Sequence, residues 1–274
     1  MAEKQGGSEN EGSFEDKKRS FFVRLALKYR DYLSFHDQSG QTVRDSRFGK
    51  ETYIDLSGNK KERSRRWGDP TEHCLVEAAV AELAADMCGL SETEKQTLAA
   101  AAFLHDWRKR GEIEETRGES NPKKIEDSHR KSKNIILESG IENAEKITHL
   151  IESVGHTSLP KFAKLNADNS IVLRDDVSDS EMIMHYIDDI TRETDIVTLD
   201  ERMDYLEGVA AERYPYNEEG KKIWGGRTFF QAQREIGHLI EQKLAEKIKI
   251  DNPKELPNVF REKLLDKINM SGDI

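Results

Sequence analysis

Cysteine is scarce: Cys74 and Cys88 are the only two in 274 residues. On one helix, at about 1.5 Å per residue, they would lie roughly 21 Å apart, too far to be bridged. Neither has CxxC spacing, so both are expected as small packing residues, and a reducing cytoplasm is the expected compartment. No apolar run approaches the roughly 20 residues of a transmembrane helix. The polar stretch from Met1 to Ser20 has no apolar core and does not read as a signal peptide. Prolines number six, and long β-branched or aromatic runs are missing, which favours helix over sheet. An excess of positive charge is missing too: 43 Lys and Arg face 53 Asp and Glu, a net charge of -10. That balance argues against a nucleic-acid track and against docking on an anionic membrane.

Hydrophobic and charged residues each supply 35% of the chain, so an economical core must sit beneath a heavily charged surface. Residues 1–20 read as a disordered leader. Residues 21–67 read as an N-terminal helix and a polar loop. Phe22, Leu25, Ala26, Tyr29 and Leu33 recur at helical spacing. Gln38 to Arg66 reads as a long loop or small hairpin with one strand-like piece, Thr52–Leu56. Three helix starts carry capping boxes: Asp69-Pro70-Thr71-Glu72, Ser91-Glu92-Thr93-Glu94 and Ser178-Asp179-Ser180-Glu181. The first of these helices should stop at Gly89. Further helices fit Asp127–Ser139, closed by Gly140, and Glu142–Val154, closed by Gly155. Beyond residue 200 the amphipathic stretches are Met203–Arg213, Phe229–Lys249 and Val259–Ile268, with a loop at Tyr214–Arg227.

The chemistry lies in the order of the histidines. His73 opens the first capped helix and His105-Asp106 ends the second. His129 starts the third helix, His156 follows the fourth, and Asp188 lies in the fifth. Helix ends converge in bundles, whose interiors are common metal sites. Imidazole with carboxylate suits Mn, Fe, Co, Ni, Zn and, less well, Mg. Four histidines and two aspartates could hold one or two such divalent ions.

This ordered set resembles the HD superfamily of metal-dependent phosphohydrolases, whose pattern is H…HD…D. Here it reads His73-Cys-Leu-Val, Ala-Ala-Ala-Phe-Leu-His105-Asp106 and Tyr-Ile-Asp188. Two-metal members add two histidines between HD and the last Asp, places that His129 and His156 occupy. The resemblance covers residues 68–200. It implies an all-α HD-domain helical bundle with N- and C-terminal helical extensions, the latter at 201–274. It implies a first metal on His73, His105, Asp106 and Asp188, and a second, if present, on Asp106, His129 and His156. The implied activity is hydrolysis of a phosphomonoester or phosphodiester bond in a nucleotide or other small phosphorylated substrate. The family often uses a lysine just after HD on the phosphate, which here is Lys109. The commonest sequence after HD is Ile-Gly-Lys, whereas this chain has Trp107-Arg108-Lys109. Two alternatives stay open: a di-iron oxygenase of the same fold, and a regulatory module that binds a nucleotide without turnover.

Each position also has a plainer reading. His129, in a charged stretch, could be a solvated surface residue, and His156 a loop residue. Asp189 competes with Asp188, although the phase of Tyr-Ile-Asp favours Asp188. His149 reads as a helix-surface histidine, and His185 as either an interior residue or a support for Asp188. His36-Asp37 is a second HD dipeptide, but no histidine lies upstream of it and a polar loop follows, so it reads as coincidental. Arg108 and Arg110 flank Lys109 in a segment, 107–134, with nine positive and six negative side chains. Arg227 closes a loop in which Tyr214, Tyr216, Lys222 and Trp224 could hold a base and phosphate. The same loop could equally be a helix connection around a packed Trp.

Overall fold

The computed structural model describes residues 14–33, 35–36, 43–44, 50–54, 60–64, 66–68, 70–109, 111–112, 122–210 and 216–270. The chain is mostly helical, with four two-stranded antiparallel ladders among the described residues. No helix there is long and apolar enough to cross a membrane.

Helix α1 (Phe14–Lys28) begins inside the segment expected as a leader and is followed by the single turn α2 (Arg30–Leu33). The charged helix formers between Phe14 and Ser20 extend a helix whose Phe21 and Leu25 are buried in the core. The remaining leader, residues 1–13, lies outside the described residues. Of the two readings of Gln38–Arg66, the hairpin is the one that forms. Strand β1 (Val43–Arg44) pairs with β4 (Arg66–Gly68), and between them β2 (Lys50–Ile54) pairs with β3 (Lys60–Ser64).

Helix α3 (Pro70–Cys88) is the centre of the fold. It is buried on nearly every face, as an all-round apolar helix must be. Asp69, the expected N-cap, lies outside the described residues. At the other end Gly89 takes φ +70°, and the amide of Leu90 donates to the Ala85 carbonyl at 3.0 Å. That left-handed turn is where a glycine is needed. Helix α4 (Glu92–Leu104) starts in the expected capping box: Ser91 Oγ accepts from the Glu94 amide, and Glu94 Oε2 accepts from the Ser91 amide. Small buried residues, Ala78, Ala81 and Ala85 on α3 and Ala99 to Ala102 on α4, let the two helices pack closely.

Helix α5 (Pro122–Glu138) starts earlier than expected, and α6 (Ala144–Ile151) is shorter at both ends. A 3-10 turn at His156–Ser158 leads to α7 (Leu159–Phe162) and a small ladder, β5 (Ala163–Leu165) with β6 (Ile171–Leu173). Helix α8 (Asp179–Ile190) begins in the Ser178 capping box. A tight hairpin, β7 (Thr191–Arg192) with β8 (Asp195–Ile196), follows. The C-terminal helices are α9 (Leu199–Ala210), α10 (Tyr216–Ile223), α11 (Phe229–Ile248) and α12 (Leu256–Asn269). Helix α3 packs against α1, α4, α8 and α12, while α11 covers α8 and α9.

The expected loop at Tyr214–Arg227 is therefore largely a helix. Gly220 lies within α10, and a Cβ there would stand 2.7 Å from the amide nitrogen of Phe229. The glycine serves close packing rather than a chain break. Trp224 is only 2% exposed, so of the two readings of this segment the packed Trp holds, and its ring offers no stacking surface.

Candidate metal centre

Helices α3, α4 and α8 bring one ligand atom each from His73, Glu77, His105 and Asp188 within 4.8 Å of one another. His73 and Glu77 are one turn apart on α3 and so share a face. His105 caps the end of α4, and Asp188 lies in the last turn of α8. The deep side is His73 and Glu77, at 1% and 0% exposure, and Asp188 is nearer solvent.

The hydrogen bonds fix how the rings are held. Nδ1 of His73 donates to the Glu193 carbonyl at 2.8 Å. A carbonyl only accepts, so Nε2 is the ring atom turned to Glu77 Oε1, 3.1 Å away. Nδ1 of His105 donates to the Ala102 carbonyl at 2.8 Å, with Glu77 Oε2 at 3.2 Å from the same nitrogen. Nε2 of His105 then faces Asp106 Oδ2 at 3.8 Å and Asp188 Oδ1 at 3.7 Å. Rings anchored through one nitrogen while the other meets carboxylates are typical of metal-ligating imidazoles. Nε2 of His105 makes no hydrogen bond among the described residues, and Glu77 turns one oxygen to His73 Nε2 and the other to His105 Nδ1. Buried acceptors facing one another repel unless a cation or proton stands between them.

The electrostatics carry the same demand. Burial pushes the His73 imidazole down, but Glu77, Asp106 and Asp188 outweigh it and raise it to about 9. A proton there answers a local excess of negative charge that a divalent ion answers better. Burial likewise pushes the Asp106 carboxyl up, yet Lys109, His105 and His73 bring it below the usual range. The donor set, imidazole nitrogen and carboxylate oxygen in a partly buried pocket, fits a divalent transition ion.

Of the other expected site residues, Asp106, Lys109 and His129 form a second row through Glu112. Asp106 turns Oδ1 to Lys109 Nζ at 3.0 Å. Lys109 also approaches Glu112 Oε2 at 3.4 Å, and the same oxygen is 3.4 Å from His129 Nε2. His129 on α5 is 62% exposed, and neither it nor His156 belongs to the four-residue group. His156 is half-buried against the rings of Phe229 and Phe230, at 5.4 and 5.9 Å. Burial, then the nearby His129, push it down to about 4. Arg108 lies over Trp107 and reaches Ser132 on α5. Arg110 lies outside the described residues. Arg227 is paired with Glu235 at 2.7 Å.

The two aspartates of α8 part company. Asp188 joins the centre, whereas Asp189 is buried between His185, at 3.3 Å, and Gln233. His185 is interior, its Nδ1 donating to the Ser153 carbonyl at 2.8 Å. His149 lies on the surface, 3.0 Å from Glu181. His36 is no ligand of the four-residue group, but it is not idle. Its Nε2 donates to the Phe103 carbonyl at 2.9 Å and its Nδ1 accepts from Thr71 Oγ1 at 3.2 Å. It therefore joins the start of α3 to the end of α4, two residues from each ligand histidine. Cys74 and Cys88 are both free and buried.

Glu77 and Glu112 are the site residues that sequence reasoning missed. A signal existed for Glu77: it is a carboxylate inside the most apolar helix, one turn from His73, and such a residue is almost never buried without a partner. Glu112 had none, since it sits in a stretch crowded with charges.

No family model matches the chain, and neither a curated protein nor a solved structure matches it.

Proposed function

We propose that the chain is an HD-type metal-dependent phosphohydrolase acting on a phosphomonoester or phosphodiester bond of a nucleotide or similar small phosphorylated molecule. The observation that carries this reading is the convergence of His73, Glu77, His105 and Asp188, from three helices, at one buried point beside Asp106. The order of four of those five residues is the one that the HD pattern requires.

A divalent ion held there supplies a Lewis acid and water made acidic enough to ionise near neutral pH. The protein's part is to hold the donors and manage charge. His73 and His105 are fixed through Nδ1, so Nε2 of each is presented inward. Glu77 and Asp188 add carboxylate oxygens, Glu77 from the deep side and Asp188 from the open side. Lys109, 3.0 Å from Asp106 Oδ1, adds positive charge beside the centre, where charge developing on a phosphoryl group would be offset. Among the described residues one such ligand group forms, which favours hydrolysis over the two-iron oxygenase alternative.

The test is elemental analysis of the purified protein, followed by a phosphatase and phosphodiesterase screen. Metal bound by the wild type and by the surface variant His149→Ala but lost in His105→Ala, with turnover lost in step, supports the reading. Equal metal in both variants overturns it. Tight nucleotide binding without turnover under every metal points to the regulatory module instead.

A further inference from the structure

Asp106 divides its two oxygens between the candidate metal centre and Lys109. Oδ2 is 3.8 Å from His105 Nε2, on the side of the four-residue group. Oδ1 is 3.0 Å from Lys109 Nζ, on the opposite side. The same ammonium is 3.4 Å from Glu112 Oε2. Glu112 is 6% exposed, and its Oε2 is also 3.4 Å from His129 Nε2. Asp106 and Glu112 thus flank a cation that the chain supplies itself, and His129 adjoins Glu112. These are two carboxylates and an imidazole, the donor types that hold a divalent ion.

From this geometry we infer that Lys109 occupies the second cation position of the centre, so that the folded protein takes one metal ion per chain, not two. The inference rests on the reading of His73, Glu77, His105 and Asp188 as a metal centre, and deepens it. A lysine ammonium carries one charge on a flexible stem and donates hydrogen bonds where a metal would accept lone pairs. It meets Asp106 and Glu112 directly, without either His129 or His156. His129 is accordingly left mostly in solvent, and His156 rests against aromatic rings. Two divalent ions a few ångströms apart repel each other and need every nearby carboxylate; an ammonium beside one ion lowers that demand. Lys109 then has a role other than reaching for substrate, and the second row becomes a latent metal site opened by removing one side chain.

The experiment is metal stoichiometry, measured after reconstitution with excess Mn²⁺ or Zn²⁺ alone and removal of free ion. The expected result is about one ion per chain for wild type and for Lys109→Arg, about two for Lys109→Met, and a return to about one for Lys109→Met combined with Glu112→Gln. Circular dichroism confirms that each variant is folded, and Lys109→Gln serves if the methionine variant is not. Two ions in wild type overturn the proposal, as does one ion in every folded Lys109 variant. Either result leaves the metal centre itself standing. No ion in folded wild-type protein overturns the metal-centre reading as well.

Discussion

His73 and Glu193 are joined by a 2.8 Å hydrogen bond from Nδ1 to a main-chain carbonyl, across a sequence separation of 120 residues. Glu193 holds φ at +56°, in the turn of the β7–β8 hairpin. The left-handed conformation thus aims the carbonyl that orients a ligand ring. Glu193→Gly keeps the carbonyl and removes the steric cost of that conformation, about 1 kcal/mol, so melting temperature should hold or rise with metal affinity unchanged. Glu193→Pro cannot adopt a positive φ. Its metal affinity should fall roughly 10–100-fold, as read by competition with a chromophoric chelator.

Glu77 should matter in both states, as the buried partner of His73 when metal is absent and as a ligand when it is present. Glu77→Gln keeps the shape and removes a fully buried charge. The metal-free variant should melt lower than metal-free wild type, because Glu77 Oε1 lies 3.1 Å from a His73 imidazole that it helps raise to about 9, and that buried pair is broken. Its metal affinity should drop at least tenfold, about 1.4 kcal/mol or more. Wild type should melt higher with metal than with chelator, and the variant should lose most of that difference.

Asp188 and Asp189, adjacent in sequence, should fail in opposite ways. Asp188→Asn should lose metal and keep its fold. Asp189→Asn should keep metal, because the amide can still accept from Gln233 and can donate to His185 Nε2. Burial raises the Asp189 carboxyl to about 6 against the pull of His185. Between about pH 4 and 6 the native state therefore retains a proton that the unfolded chain has released, and this group loses stability as pH rises. Removing it should make metal-free protein gain stability more steeply with rising pH.

His36 has the opposite sign. Burial depresses it to about 4, despite its bond to Phe103. The unfolded chain takes up a proton near pH 6.5 that the native state refuses until about 4. Its stabilisation is full above about pH 6.5 and is lost as pH falls toward 4, by at most about 3 kcal/mol. His36→Phe keeps a ring against Phe103 and should flatten the acid side of a melting-temperature profile measured in chelator. His156, also pushed down to about 4, adds a residual slope of the same sign.

Trp224 should behave as core. Trp224→Ala should cost about 3–5 kcal/mol of stability and leave metal content unchanged. A fall in phosphate or nucleotide affinity in protein that stays folded would contradict its packed role.

The helices were legible wherever a local signal existed. Ser91 and Ser178 cap where their boxes say, and Gly89 ends α3 in a left-handed turn. His73, His105 and Asp188 were legible because their order resembles the H…HD…D pattern, with the phase of Tyr-Ile-Asp choosing Asp188 over Asp189. Glu77 and Glu112 were not, since a carboxylate among many carries no mark of burial until its neighbours are known. Helix α10 was hidden by Gly220 and Pro215, which look like loop residues when the close approach of Phe229 is unseen. The hydrogen bonds that orient the rings come from main-chain carbonyls of Ala102 and Glu193, and a carbonyl has no sequence signature.

The span of the His73–Glu193 bond also bears on how the centre comes into being. Both imidazoles are synthesised long before Asp188 and the turn at Glu193, and no local segment contains more than two of the four donors. Affinity for a metal ion can therefore not accumulate gradually along the chain. It arrives as a step, once α8 has docked on α3 and the hairpin behind it has closed. Metal uptake by a refolding chain would be a clock for the last long-range contact, not for the formation of helices.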